Sequence, residues 1–301
     1  MRFDFRYVLQ QPFLLLWKHK PLILLNLPGS LAGALFTALF PLMFALPFFV
    51  ESGPLNRLLD DPWPIFALIF GGSVVLMLST TPLSIFTSSA VIRGVTKVET
   101  GQELGSLRDL LREVIPFFWR VVGLTALQGG VGLLFAALPA VLIVITAGVA
   151  VICLGPLMPM TTPLVFVFSL VGILAMHIIL VEDVGVLEAI RIGWQDFKKT
   201  WLSLVLVFLI VSQLGGMIFG VLFILPSLGV VPFFIALSSS DPQTAVVPMS
   251  IGLVAVGLFV PFMVFGLMMF TTFTQTALAI MYLEVRKIVP LPHDVPPSPP
   301  S

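Results

Sequence analysis

The residues best suited to chemistry are a histidine and two adjacent carboxylates near the end of a long apolar run. His177 is the only histidine inside such a run, and Glu182 and Asp183 follow it closely. An ionisable group at membrane depth is a functional hypothesis by default, because placing it there is costly. The sequence therefore suggests a polar cluster of His177, Glu182, Asp183 and Arg191. The alternatives are a neutral, hydrogen-bonded histidine and carboxylates that cap the next helix or pair with Arg191 or His177.

The sequence contains no recognised catalytic or cofactor-binding motif. It lacks HExxH, GxSxG and Walker patterns. Its three histidines lie far apart, and its single cysteine, Cys153, excludes an internal disulfide. No acidic residue lies in the middle of an apolar run, which argues against a carboxylate relay for protons or sodium. We therefore predict a protein that is not an enzyme and that uses no cofactor and no metal.

Composition and hydropathy are those of a membrane protein. Of the 301 residues, 58% are hydrophobic and only 10% are charged, and the mean hydropathy is +1.11. A soluble domain carries about 25% charged residues, and about 20 apolar residues suffice to cross a bilayer. We predict an all-α membrane fold with six transmembrane helices. The apolar runs cover residues 21–50, 64–92, 121–152, 164–181, 202–237 and 246–283.

The basic residues indicate the orientation. Fourteen of the fifteen Lys and Arg residues fall before the first run, between the second and third, between the fourth and fifth, or after the sixth. Arg57 is the exception. Short cytoplasmic loops collect Lys and Arg, so we predict an inner-membrane protein with both termini in the cytoplasm. The formal net charge of zero gives no indication of nucleic-acid binding.

Three segments have the pattern of amphipathic helices that lie in the membrane interface, at residues 3–18, 106–120 and 186–201. Each has an apolar stripe at spacings of three to four and cations on the other face. In the second, Ser106 and Asp109 predict a capping box. We expect these helices to contact anionic headgroups at the cytoplasmic face. Their interfacial anchors would be Trp17, Trp119, Trp194 and Trp201.

These segments recur with pairs of spans, which predicts three repeats near residues 1–100, 101–184 and 185–289 within one membrane domain. Runs 121–152 and 202–237 exceed one straight crossing, and breaks or re-entrant segments are both open for them. The proline-rich residues 290–301 predict a disordered cytoplasmic tail.

Small and amide residues inside the runs predict either close helix contacts or the lining of a small polar cavity. Glycine lets helix backbones approach, and a buried amide bonds across helices. The residues concerned are Gln128, Gly129, Gly130, Gln213, Gly215, Gly216 and Gln275.

One stretch, VEDVGVLEAIRIGWQDFKKTWLSLVLVFLI at residues 181–210, resembles a known family. It is similar to the membrane domain of bacterial glycerophosphoryl diester phosphodiesterases and to related stand-alone six-span membrane proteins of unknown function. Gly193 stands where that pattern usually has serine. The resemblance covers the membrane part alone, so it implies a fold and carries no hydrolase activity. The matching positions are Glu182, Leu187, Glu188, Ala189, Arg191, Trp194, Lys198 and Trp201.

Three functions remain open from the sequence. The first is a non-enzymatic scaffold or accessory membrane subunit with lipid contacts and a protein partner. The second is a transporter or channel for a small or lipid-like substrate, since glycine- and proline-interrupted spans in repeated units fit many transporters. The third, an intramembrane enzyme, requires His177 and Glu182 to converge on a cavity with a nucleophile.

Overall fold

The described part of the chain consists of helices and the short segments that connect them. A computed structural model describes residues 3–31, 33–34, 63–145, 158–238 and 242–289. These residues are 91% helical and contain no strand, which confirms the all-α class. The helices are α1 Phe5–Lys18, α2 Pro21–Leu25, α3 Trp63–Glu99, α4 Leu107–Val114, a 3-10 turn Ile115–Phe117, α5 Phe118–Ile145, α6 Met158–Glu182, α7 Val186–Ser238 and α8 Pro242–Ile288.

Several helices have the length and apolarity of membrane spans. Four stretches of the described residues qualify, and α3, at 37 residues, contains the second predicted run. Most of the first predicted run, from residue 35 onward, lies outside the described residues, as does the tail at 290–301. An all-helical chain with four candidate membrane-spanning stretches among the described residues is therefore confirmed, while the count of six stays a prediction. The four stretches are Leu107–Leu134, Pro163–Glu182, Val186–Met217 and Val260–Ile288.

The described residues fall into two compact units, each built from segments that are distant in sequence. The first unit draws on Met1–Leu15, Ile92–Ile210 and Gln275–Ser301, and the second on Leu16–Val91 and Val211–Thr274. The arrangement as three repeats stays a prediction. Fully buried aliphatic side chains form the core of the first unit, among them Leu110, Leu124, Leu174, Ile178 and Ile280.

Local signals define the junction between α3 and α4. At the end of α3, Gly101 has a φ of +76°, and its N–H bonds to the carbonyl of Val98. The next N–H, of Gln102, bonds to the carbonyl of Lys97 at 2.8 Å. This is the Schellman arrangement, in which glycine takes the left-handed conformation without steric penalty. At the start of α4 the predicted capping box of Ser106 and Asp109 is confirmed.

A kink separates the amphipathic part of α7 from its long apolar part. Thr200 has non-helical angles, φ −127° and ψ 17°, in an otherwise continuous helix of 53 residues. Its hydroxyl donates to the Asp196 carbonyl at 2.8 Å, a bond from a threonine side chain to the preceding turn that bends helices. The bend therefore falls where the amphipathic segment was predicted to end. The helix runs through Pro226 and Pro232 without a further non-helical residue.

Gly193 allows α7 to approach α6 closely within the first unit. A Cβ at residue 193 would lie 3.2 Å from the Val171 carbonyl oxygen and 3.4 Å from the Ala175 nitrogen. Both are backbone atoms, so they cannot move aside as a flexible side chain would. The glycine that departs from the family pattern thus lies at a helix–helix contact.

We predict that Gly193→Val lowers the free energy of unfolding by about 1–3 kcal/mol, the usual cost of overpacking. The matched control is Gly129→Val in α5, because a Cβ there would meet no atom within 4 Å. Thermal unfolding in detergent measures both. Equal midpoints for the two variants would contradict the close approach.

Candidate functional site

A buried ionic cluster joins three helices of the first unit. We define it as Glu182, Asp196, Tyr282 and Arg286, with His177 beside it. The Nε of Arg286 lies 2.6 Å from Oε1 of Glu182, and its Nη1 lies 2.9 Å from Oδ2 of Asp196. The Tyr282 hydroxyl donates to the same Glu182 oxygen. One guanidinium therefore holds two carboxyl groups that belong to different helices.

The helix ends explain why these side chains meet. Glu182 ends α6, Asp196 lies in the third turn of α7, and Tyr282 and Arg286 lie near the end of α8. The last two are four residues apart, which places them on one helix face. The Arg286 guanidinium carbon lies 5.2 Å from the Tyr282 ring centroid, and Nε also donates to the tyrosine oxygen at 3.0 Å.

Burial makes the cluster energetically demanding. The side chains of Glu182, Asp196 and Arg286 are 8%, 3% and 13% exposed. Two carboxyl groups face one guanidinium, so the formal charges do not balance. Breaking a buried pair by removing one partner is strongly destabilising, because the other charge is left uncompensated. The Asp196 contact is an ion pair by distance, without the alignment of a hydrogen bond.

His177 lies against this cluster as a buried, stacked ring. Its ring centroid is 5.5 Å from that of Tyr282, with an interplanar angle of 29°. Its Nδ1 bonds to the Ile173 carbonyl at 2.7 Å, so this nitrogen carries the proton. Four buried polar atoms of His177 and the cluster have no hydrogen-bond partner: Nε2 of His177, Oε2 of Glu182, Oδ2 of Asp196 and Nη2 of Arg286.

The structure brings together only part of the predicted polar cluster. His177 and Glu182 meet through Tyr282. Asp183 instead bonds to Arg120 of α5 at 2.5 Å, and this pair is exposed. Arg191 is exposed on α7. Instead of capping α7 or pairing with Arg191 or His177, the two carboxylates pair with arginines from other helices: Asp183 with Arg120 and Glu182 with Arg286. The start of α5 and the end of α8 are distant from residues 182–183 in sequence but lie beside them in the structure.

Asp196, Tyr282 and Arg286 belong to the candidate site, and the sequence analysis missed them. The pattern placed Asp196 on the polar face of the third amphipathic segment, but the structure buries it. The available signal was the spacing of small and polar residues. They form one helical face that packs inward, which is the usual protein-facing composition of membrane helices. The residues of this face are Ala189, Gly193, Asp196 and Thr200.

The aromatic anchors lie on the outer surface. Trp17 and Trp119 are 79% and 77% exposed, and Trp194 and Trp201 are also exposed. Two of these indole rings are in contact with a lysine. The ammonium of Lys20 lies 5.7 Å from the Trp17 ring centroid, and that of Lys198 lies 5.7 Å from the Trp194 ring centroid. An exposed indole with an adjacent cation suits the headgroup layer, where one end is apolar and the other wet.

Some of the glutamines and glycines predicted to form helix contacts or a polar cavity do contact another helix, and the others lie at open positions. The Gln128 amide nitrogen lies 1.4 Å from where a Cβ of Gly172 would be, so Gln128 packs on the α6 backbone in the first unit. In the second unit the Phe270 ring lies 1.9 Å from the Cβ position of Gly215. Gln275 is partly buried and Gln213 is exposed. The remaining three glycines have nothing within 4 Å of a Cβ: Gly129, Gly130 and Gly216.

A second polar network connects α1, α3 and α8 of the first unit. Tyr7 donates a hydrogen bond to Glu99, and the Gln11 amide donates to the same carboxylate at 3.0 Å. The Lys287 ammonium lies 5.2 Å from the Tyr7 ring and pairs with Glu284. Burial, then the hydrogen bond and charge of Glu99, raise the pKa of Tyr7 well above its usual 10.

The chemistry of these groups is limited. Within the described ranges no three His, Cys, Asp or Glu side chains are grouped so that they could hold a metal ion. The ionic cluster contains acids, a phenol and an imidazole, and its polar atoms mostly bind one another. No protein-family model, curated protein or solved structure matches the chain.

We predict that Arg286→Gln lowers the free energy of unfolding by about 3–5 kcal/mol, because it leaves two buried carboxyl groups without their cation. The matched control is Arg120→Gln, which removes an exposed pair worth at most about 1 kcal/mol. Unfolding of both purified variants gives the comparison. A similar small loss for each would contradict a structural role of the cluster.

The raised pKa of Tyr7 predicts the sign of a pH effect. Above pH 10 the unfolded tyrosine loses its proton while the folded one keeps it, so stability falls as pH rises. Since the chain has two tyrosines, the difference between wild type and Tyr7→Phe in phenolate absorbance isolates Tyr7.

Glu99→Gln removes a negative charge and should lower the Tyr7 pKa toward its usual value. An unchanged titration of Tyr7 in Glu99→Gln would contradict the pairing.

Proposed function

We propose that the chain is a six-span inner-membrane protein with both termini in the cytoplasm, and that it is a non-enzymatic scaffold or accessory subunit. The observation that carries the proposal is how the polar side chains are used. In the first unit, ion pairs and hydrogen bonds tie helix ends together: Glu182–Arg286–Asp196, Tyr7–Glu99 and Lys97–Glu113. Side chains that stabilise helix packing in this way are not arranged around a reacting substrate.

The outer surface supports a role in contact with lipid and protein. Exposed tryptophans with adjacent cations fit the cytoplasmic headgroup layer. The resemblance of residues 181–210 to the membrane domain of glycerophosphoryl diester phosphodiesterases and related six-span proteins supports the same architecture. Anionic lipids and a protein subunit are the partners that we propose, with no cofactor and no nucleic acid.

A transporter for a small or lipid-like substrate is the second candidate. Its support is that four buried polar atoms of His177 and the ionic cluster have no hydrogen-bond partner: Nε2 of His177, Oε2 of Glu182, Oδ2 of Asp196 and Nη2 of Arg286. A substrate with both donors and acceptors would satisfy these atoms. The packing of Gln128 on Gly172 favours the scaffold, because it fills one position proposed for a polar cavity.

Native mass spectrometry of the protein extracted in nanodiscs from its own membrane tests the proposal. A scaffold predicts a second protein at fixed stoichiometry, and that stoichiometry should be unchanged in Arg191→Gln, which alters only an exposed cation. A tagged, unrelated multi-span protein from the same membrane is the control for adventitious capture. Retention of a small molecule of defined mass, without a protein partner, would replace the scaffold by the transporter.

A further inference from the structure

In the second unit, α7 carries an amide, Gln213, within a long uncharged stretch. Between Lys199 and Asp241 the chain has no charged residue and no other asparagine or glutamine. Gln213 is exposed, and in the part of the chain that the structure describes its amide forms no hydrogen bond. Met217, one turn further along the helix, is 70% exposed. An amide in such a stretch is unusual, because lipid tails offer it neither a donor nor an acceptor.

The side of α7 that packs inward lies opposite Gln213. Val211 is only 1% exposed, and the Phe270 ring lies 1.9 Å from the Cβ position of Gly215. Each of these two residues is two positions from Gln213, which places them about 160° from it around a helix of 3.6 residues per turn. The Gln213 side chain is therefore on the outer face of the second unit, which the proposed membrane placement exposes to lipid.

Two glycines continue this outer face. Gly216 and Gly220 follow Gln213 by three and seven positions, so the three residues lie along one side of the helix. Gly216 is exposed, and a Cβ at either glycine would meet no atom within 4 Å. Glycines four residues apart let the backbone of another membrane helix approach closely. The face thus combines a shallow surface that fits a helix with an amide that needs a polar partner at the same depth.

We propose that the face of Gln213, Gly216 and Gly220 packs against the same face of a second copy of the chain. A carboxamide carries both donors and an acceptor, so two glutamines related by a twofold axis satisfy each other with two N–H···O bonds. Copies inserted in one orientation hold residue 213 at one depth, and a twofold axis along the membrane normal brings the two amides together. The contact rests on the proposed membrane placement and gives the scaffold a defined partner.

The test is self-association of the full-length protein in liposomes. It is measured by energy transfer between donor-tagged and acceptor-tagged copies as the protein-to-lipid ratio is lowered. We expect the wild type to dimerise. Gln213→Leu should weaken dimerisation about tenfold, which is the scale of two lost hydrogen bonds between membrane helices. Gln213→Asn keeps an amide at this position and should weaken dimerisation less than Gln213→Leu does.

Gly216→Ile tests the close approach of the two helices. A single copy has room for this side chain, so the variant should fold as the wild type does. Its dimerisation should fall by about tenfold or more, because the added side chain forces the helix backbones apart. Gly129→Ile is the matched control and should dimerise as the wild type does. Gly129 is an equally open glycine of α5, and the amide next to it, Gln128, packs on Gly172.

Three results would overturn the contact. The first is a monomer at every protein-to-lipid ratio. The second is a dimer that Gln213→Leu and Gly216→Ile weaken no more than Gly129→Ile does, because the dimer would then use another surface. The third is a small molecule that native mass spectrometry finds on a monomeric wild type and not on Gln213→Leu, because the face would then bind that ligand. A monomeric chain that still carries a different protein at fixed stoichiometry would remove this contact while the scaffold stands.

Discussion

The contact on which the first unit most depends is the guanidinium of Arg286 between Glu182 and Asp196. Each of these residues comes from a different helix, and all three side chains are almost removed from water. In such a place a charge is tolerated only when it is paired and hydrogen-bonded. One interaction therefore holds together the end of α6, the first turns of α7 and the end of α8. Each charged group would be left buried without an opposite charge if its partner were removed.

The surrounding features make this contact possible. Gly193 brings α7 against the α6 backbone, and Asp196 lies three residues further along the same face. Thr200 then kinks α7 at the end of its amphipathic segment. His177 stacks on the ring of Tyr282, which belongs to the cluster. A packed glycine, a buried acid and a bend within eight residues thus position one helix of the cluster.

Local features could be predicted from the sequence, and long-range ones could not. The capping box of Ser106 and Asp109 depends on four consecutive residues, so its pattern suffices. The bend at Thr200 falls where the amphipathic pattern stops. By contrast, Asp196 and Arg286 are ninety positions apart, and the sequence around either residue does not indicate that the other is its partner. The pattern also left the inward face of α7 unpredicted, and that face consists of small and polar residues, the usual composition of contacts between membrane helices.

A double-mutant cycle on Glu182 and Arg286 tests the central claim most directly. It compares Glu182→Gln, Arg286→Gln and the double variant, with the same cycle on Asp183 and Arg120 as an exposed reference. If the cluster holds the helix ends together, the first pair should show a coupling free energy of about 1–3 kcal/mol and the second at most about 1 kcal/mol. Additive effects at Glu182 and Arg286 would contradict the account.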